Sequence, residues 1–486
     1  MTPTPASHRI APGAFIVGAC GIVVQVVLIR ELLVTFQGNE LVIGVILANW
    51  LLTEAAGAVA GERLARGKAP LAYYNWLLVF SAFAFPLVII AGRGAALLLG
   101  VPQGAAWGFS ELFLLSFFLL APLGVPHGAL FSLSCQLYPQ KDGTARIYVL
   151  ETAGTVFGAL VLTFLLLWQV NTMAIAVYTT IFLLALAWLV AFPAKRLLTR
   201  YATPIFLLAM IISGAWLGAA LDKSSLMLRF AEEVVFNQNS LHGNLTVTRA
   251  AEQVTFFYDG RFMASAPMPD LVLAEETAHF PLLAHHNPQK VLLLSGGLGG
   301  IIPEILKHPV QQLDYVEVDP LIWQAGKQFI PNWKTLLRDK RVRPLTGDAR
   351  LLLQHGLGRY DVVLLGPLDP ASLELNRLFS REFFELVRNN LNPGGIFAFS
   401  VPGSLVYLGP ELLELNRVMY HTAKSVFARV HLIPGDRNLF LALTDEATGI
   451  TAMDAVRRLT ERRFDNKVVN CRLSKISLRG TTPDLG

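Results

Sequence analysis

The chain has 486 residues, of which 53% are hydrophobic and only 15% charged; soluble domains carry about a quarter charged residues, so a wholly water-soluble globule is excluded. The formal net charge of +5 does not by itself mark a nucleic-acid binder, because Lys and Arg sit mainly in loops between apolar runs and in the C-terminal tail. Cys20, Cys135 and Cys471 are far apart, with no CxxC or Cys/His cluster, which excludes a disulfide framework and a zinc site.

The long uncharged runs lie between Phe15 and Leu221, and the composition turns ordinary from Asp222 onward. Two regions are the minimum. A membrane span needs about 20 apolar residues, and that length picks out roughly 13–36, 41–61, 73–92, 107–135, 147–168, 172–193 and 202–221. A multi-pass bundle of about seven helices over 1–221 is the expectation, with the lipid bilayer as partner and the plasma or inner membrane as location. The apolar run from Ala14 is followed by further spans and by no small-residue cleavage site, so it reads as a first membrane helix, not as a removable signal. Arg93 to Gly104 is too short to span, and reads as half of a broken helix or a re-entrant piece.

Arg9, then Arg63, Arg66 and Lys68, then Lys141 and Arg146, then Lys195, Arg196 and Arg200 alternate with loops that hold little beyond Arg93. The positive-inside rule puts the basic side in the cytoplasm. An odd helix count then puts the soluble region outside, in conflict with the use of an intracellular nucleoside, and the conflict stays open at this point. Gly57/Gly61 and Gly154/Gly158 have the four-residue spacing that lets helix backbones approach in lipid. Arg30, Glu31, Glu54, Glu111, His127 and Glu151 fall within or at the ends of spans, where an ionisable group is costly unless paired or wetted. The bland expectation is that Arg30 pairs with Glu31 or Glu54, or that these side chains sit near the interface and snorkel; the alternative is a polar path for a cation past Glu54, Glu111 and Glu151. No long-range repeat marks two transporter halves.

Residues 222–285 read as a linker and a small β-rich module, with alternating strands in Gly243–Arg249 and Gln253–Gly260. From 286 to 445 buried strand runs alternate with helical stretches: VLLLS, LDYVEV, VRPLT, DVVLL and IFAFSV. Such alternation means a doubly wound, Rossmann-like α/β domain, and residues 446–486 form a basic tail. Ser295-Gly-Gly-Leu-Gly-Gly300 follows the first of these strands and opens a helix, so the backbone at Gly296, Gly297 and Gly299 is free to approach a ligand. Glu317 ends the second strand, where a carboxylate grips ribose hydroxyls, and Asp348-Ala349 follows the third. Three features at one edge point to a nucleoside.

Asp259-Gly260, Glu275-Glu276-Thr-Ala-His279, SGGLGG, YVEVDP, TGDAR and Tyr360-Asp361-Val-Val-Leu-Leu-Gly-Pro-Leu-Asp369-Pro370 together resemble, in order and spacing over about 235–445, the motifs of spermidine and spermine synthases. The membrane half is similar to the amino-terminal region of membrane-bound members, through Ile29-Arg30 and Tyr148-x-x-Glu151-x-x-Gly154. The resemblance implies a methyltransferase-type fold that binds decarboxylated S-adenosylmethionine, or S-adenosylmethionine, as cosubstrate, with no tightly bound cofactor and a polyamine as the second small molecule. Glu317 would hold the ribose and Asp348 the adenine amine. Oligomeric state is left open, and no nucleic-acid partner is expected.

The chain departs from that pattern at the amine pocket. Leu298 and Gly366 stand where the family has aspartates, Met263 where it has Gln, and Leu273-Ala274 where it has Tyr-His. Asp369 survives as the candidate catalytic carboxylate, with Glu275 and Glu276 as substrate-side helpers. Aminopropyl transfer to a diamine is therefore expected to be weak, and to rise on restoring Leu298→Asp with Gly366→Asp. Three readings follow: a transferase with an altered acceptor, a nucleoside sensor without chemistry, and a polyamine transporter with a regulatory domain.

Overall fold

The computed structural model describes residues 7–102, 107–167, 170–191, 214, 216–230, 232–445 and 452–462. Its contacts divide the chain into two units, 1–248 with 258–261 and 249–257 with 262–486. This division runs through the small β-module, whereas the sequence suggested boundaries at 221 and 285.

In the first unit, six helices are long and apolar enough to cross a membrane: α1 (Ser7–Phe36), α2 (Glu40–Ala65), α3 (Pro70–Leu99), α4 (Phe109–Leu137), α5 (Gly143–Leu167) and α6 (Thr172–Ala191). The seventh expected span, 202–221, lies largely outside the described residues; residues 216–230 are helical and are labelled α7. Local chemistry sets the ends. Asn39 caps α2 by accepting from the Leu41 amide at 3.1 Å, Pro70 starts α3, and Gly100 ends it in the left-handed region at φ 65°. Because α3 continues to Leu99, Arg93 lies inside a continuous helix, and the half-helix expected at Arg93–Gly104 is not formed.

The paired glycines act as their spacing suggested. A side chain at Gly57 or Gly61 would strike the α4 backbone at Val125 and Ala129, and one at Gly154 or Gly158 the α1 backbone at Phe15 and Ala19. With no water to displace between apolar helices, this close backbone approach supplies the packing.

A buried ionic set interrupts the apolar interior. Arg93 forks onto Glu31 (2.6 and 3.0 Å) and reaches Asp222 Oδ1 at 2.9 Å and Ser225 Oγ at 2.7 Å, while Arg229 reaches Glu31 at 2.7 Å. Two arginines and two carboxylates form a closed, buried set that ties α7 to α1 and α3. Arg30 does not pair with Glu31 or Glu54 as expected, because consecutive helical residues face different directions. It donates to Asn239 Oδ1 (3.4 Å) and the Ser240 carbonyl (3.2 Å). Arg261 in turn donates to the Gln37 carbonyl, and Gly260 abuts Val34, so the β-turns rest on the C-terminal end of α1.

The small sheet is β1 (Glu233–Asn239), β2 (Asn244–Ala250), β3 (Gln253–Tyr258) and β4 (Arg261–Ala266) in sequential order. Helix α8 (Leu271–Ala284) leads into the second sheet, of β5 (Lys290–Leu294), β6 (Gln312–Glu317), β7 (Val342–Thr346), β8 (Tyr360–Leu365), β9 (Leu391–Pro402), β10 (Arg429–Ile433) and β11 (Arg437–Leu443). Its order is β10-β11-β9-β8-β5-β6-β7. Strands β6–β5–β8–β9 and β7 are parallel, as expected, whereas β11 lies antiparallel to β9 and to β10. Helices α9 (Ile301–Leu306), α10 (Pro320–Phe329), α11 (Trp333–Leu336), α12 (Ala349–Gln354), α13 (Leu373–Asn376), α14 (Arg381–Asn389) and α15 (Pro410–Lys424) fill the connections.

The core on one face of this sheet is aromatic: Phe383, Phe384, Phe397, Phe399 and Phe440 are fully buried, with Phe399 and Phe440 stacked at 4.9 Å. A last helix, α16 (Ala452–Arg462), was not anticipated. Its Arg458 and Arg462 donate to the carbonyls of Leu282, Leu283, Ala284, His285 and His286, capping the C-terminal end of α8, where carbonyls lack intrahelical partners.

Candidate functional site

The chain order reverses between β5 and its two neighbours, β6 and β8, and such a switch point opens a crevice at the carboxyl ends of the strands. Four loops meet there. The β5 loop leaves the sheet through Ser295 and Gly296, both at positive φ (63° and 84°), a conformation that glycine adopts without penalty. Gly297 lies against the Tyr315 ring with no space for a side chain, while Gly299 faces open space. Close packing therefore explains Gly297 but not Gly299.

Glu317 ends β6 and is fully buried. Its two oxygens accept from the Tyr315 hydroxyl (2.5 Å) and the Ser295 hydroxyl (3.1 Å). Burial pushes its carboxyl up to about 7, against the hydrogen bonds from Tyr315, Ser295 and the glycine-loop amides that favour the charged form. The Tyr315 hydroxyl is raised as well, by burial and by the neighbouring carboxylate. Tyr315 was not anticipated as a partner, although residues two apart on a strand share a face, so YVE carries that signal.

Asp348 is the N-cap of α12, accepting from the Arg350 and Leu351 amides (2.8 and 3.3 Å), and it pairs with Arg377 at 2.5 Å. Ala349 is the first residue of that helix. Asp348 is thus committed to a helix end and to an arginine, which a ligand's amine would have to share.

The positions where the resemblance implies an amine pocket are packed tightly. A Cβ built on Gly366 would lie 2.5 Å from the Ser295 carbonyl oxygen and 3.1 Å from Gly296 Cα, closer than real side chains come. Glycine at this position is what lets the β5 and β8 loops touch. Leu298 is buried, so its side chain belongs to the packing. Asp369 is paired with Arg437 at 2.8 Å; the same guanidinium donates to the Leu368 carbonyl and to Ser400. Arg437 cancels the charge of the surviving carboxylate, and no sequence pattern announced it, since β11 reaches β9 by an antiparallel return. Glu275 is fully buried and Glu276 half-buried on α8, whose Ala274 lies beside Gly300.

In the helical unit, His127 Nδ1 lies 2.6 Å from Glu54 and its Nε2 3.9 Å from Glu151. Glu111 does not join them. It accepts from the Gly108 amide at 3.1 Å and closes the N-terminus of α4, so the three-carboxylate path expected from the sequence reduces to two.

Strand order, switch point and carboxyl-edge loops define the second unit as a Rossmann-like domain. Residues 271–442 match the Spermine/spermidine synthase domain family. The chain is 32% identical over 170 residues to the polyamine aminopropyltransferase of Bacillus mycoides (strain KBAB4), covering 35% of this chain and 59% of that protein. It is 31% identical over 167 residues to spermidine synthase 2 of Arabidopsis thaliana, covering 34% and 46%. A solved spermidine synthase in complex with the transition-state analogue AdoDATO aligns at 22% identity and a TM-score of 0.44, over 52% of this chain and 86% of that one. By sequence, residues 271–442 thus match a spermine/spermidine synthase domain and have polyamine aminopropyltransferases among their relatives, and the chain spans about half the length of these curated relatives.

Proposed function

We propose that this protein is a membrane-embedded transferase of the polyamine aminopropyltransferase type, whose α/β domain binds decarboxylated S-adenosylmethionine. The observation that carries this is the convergence of the Ser295–Gly300 loop, Glu317 and Asp348 at one switch point within the residues that match the family. In the reaction an acceptor nitrogen bonds to the aminopropyl carbon, the carbon–sulfur bond breaks, and methylthioadenosine leaves while the nitrogen gives up a proton. Glu317 holds the ribose hydroxyls, and Asp348 shares its remaining acceptor capacity with the adenine amine. The six apolar helices support a multi-pass location in the plasma or inner membrane.

A second reading, a nucleoside sensor without chemistry, is favoured by one observation: the β5 and β8 loops touch at Gly366, where the resemblance implies a catalytic aspartate. Mass spectrometry of small molecules that copurify with the detergent-solubilised protein, with calorimetry of methylthioadenosine, tests the shared nucleoside site. Turnover of decarboxylated S-adenosylmethionine to methylthioadenosine then separates the two. A protein that neither copurifies with nor binds an adenosine thioether removes both.

A further inference from the structure

The acceptor end of the crevice offers a dication little to grip: Glu275 is fully buried, and the two positions that the resemblance gives to aspartates carry none. A side chain at Gly366 is sterically barred, Leu298 is in the core, and Asp369 is neutralised by Arg437, which Ser400 and Leu368 hold in place. An ammonium group entering there meets a fixed guanidinium.

The rim of the same edge is apolar. Met268 lies in the turn before α8, next to Pro269, which packs on Gly300 of the glycine loop. Leu351 and Leu373 open the helices after β7 and β8, and Leu405, Val406 and Tyr407 form the loop after β9; all six are exposed. The loops at the opposite edge, 285–289, 307–311, 337–341 and 355–359, expose no large hydrophobic side chain among the described residues. Phe262, Val272, Leu413 and Val418 are also exposed, on strand and helix faces, but of the loops at the two edges only those at the crevice edge expose large apolar side chains, which marks a ligand-facing surface.

Resting on the nucleoside reading above, we infer that the acceptor is a primary monoamine on an apolar body, not a diamine. The chemistry is self-consistent. A positive charge nearby disfavours the ammonium form, so the Arg437 guanidinium at the acceptor end favours the neutral nucleophile that the family's carboxylates would otherwise help to generate, while the apolar rim takes the body of the amine. The nitrogen then bonds to the aminopropyl carbon, the sulfonium takes the electrons of the broken carbon–sulfur bond, and the displaced proton passes to solvent.

The test uses the full chain in nanodiscs saturated with methylthioadenosine, and compares hexylamine with hexamethylenediamine by calorimetry. These amines share a carbon count and differ by one amino group. Hexylamine is expected to bind at least about tenfold more tightly, the equivalent of one charge-assisted contact that the diamine cannot satisfy. Arg437→Gln frees Asp369 and is expected to narrow that gap about tenfold. Equal or tighter binding of the diamine to the unaltered protein overturns the inference, as does a preference unchanged by Arg437→Gln. Binding of methylthioadenosine with neither amine bound overturns the acceptor assignment alone, whereas absence of methylthioadenosine binding removes the nucleoside reading on which it rests.

Discussion

Gly366 and Ser295 meet backbone to backbone: a Cβ on Gly366 would sit 2.5 Å from the Ser295 carbonyl oxygen. The β8 loop thereby braces the β5 loop that would face a nucleoside. Gly366→Ala is expected to push the glycine loop out of place at a cost of about 1–3 kcal/mol, lowering both the unfolding temperature and the affinity for methylthioadenosine. Restoration of aspartates at 298 and 366 is expected to damage the site, contrary to what the sequence suggested, since Gly366 has no space for a side chain and a carboxylate at the buried position 298 would sit unpaired in the core. Increased spermidine formation by the Leu298→Asp, Gly366→Asp variant would contradict this geometry.

The buried Glu317 carboxyl makes the site pH-dependent. Its ordinary value is 4.5 and burial pushes it up to about 7, so the folded state holds a proton that the unfolded chain releases. Its contribution to stability is full below the ordinary value and is lost as pH rises through about 7. Ribose binding needs the ionised, accepting form. Methylthioadenosine affinity is therefore expected to increase as pH rises through that range, while Glu317→Gln flattens both profiles. Calorimetry and thermal unfolding across pH check the pair of trends; a parallel pH dependence in the variant would assign it to another group.

The sequence made the α/β half legible and left the pairings dark. Runs such as VLLLS and DVVLL can be satisfied only as strands covered on both faces, and a glycine loop between strand and helix has one place to go in such a sheet. The antiparallel β10–β11 return lacks that constraint, and Arg437 came with it. Partners within the bundle were equally hidden, because which side chains meet depends on helix rotation and crossing. Arg93 looked like a loop charge since apolar length alone ended the third span at 92. The buried chain from Glu304 through His279 and His308 to Arg462, with contacts of 3.0, 2.8 and 3.0 Å, joins three helices that no local pattern connects.

Glu31 answers both Arg93 and Arg229 in a buried setting. Removal of one partner from such a set strands the others, at about 3–5 kcal/mol. Glu31→Gln is expected to lower the unfolding temperature in detergent markedly, whereas Glu62→Gln, which breaks the exposed Glu62–Arg66 pair, is expected to cost less than about 1 kcal/mol. Similar unfolding temperatures for the two variants would show that the network contributes no more than a surface pair.

The final prediction concerns which face of the membrane carries the β-module. The basic clusters beginning at Arg9, Arg63 and Lys141 fall on the side where α1 begins and α2 and α4 end, which the positive-inside rule assigns to the cytoplasm; the cluster beginning at Lys195 follows α6 in the sequence. With Arg93 inside α3 and paired to Glu31, the opposite loops lose the one basic residue that blurred the asymmetry. Gly214, ahead of α7, packs beside Val177 and Ile181, and Gly218, on α7, beside Ala174, so the chain there runs back along α6 toward its start. Asp222 then reaches Arg93, and the β-turns at Ser240 and Gly260 rest on the C-terminal end of α1. The β-module is thereby expected on the non-cytoplasmic side, and the described residues that follow it include no helix of membrane-crossing length. In a chain with Cys20, Cys135 and Cys471 replaced, a membrane-impermeant maleimide should label Leu241→Cys in intact cells and label Lys68→Cys only after permeabilisation. The reverse pattern would put the turn at Leu241 in the cytoplasm and show that the loop charges do not set this orientation.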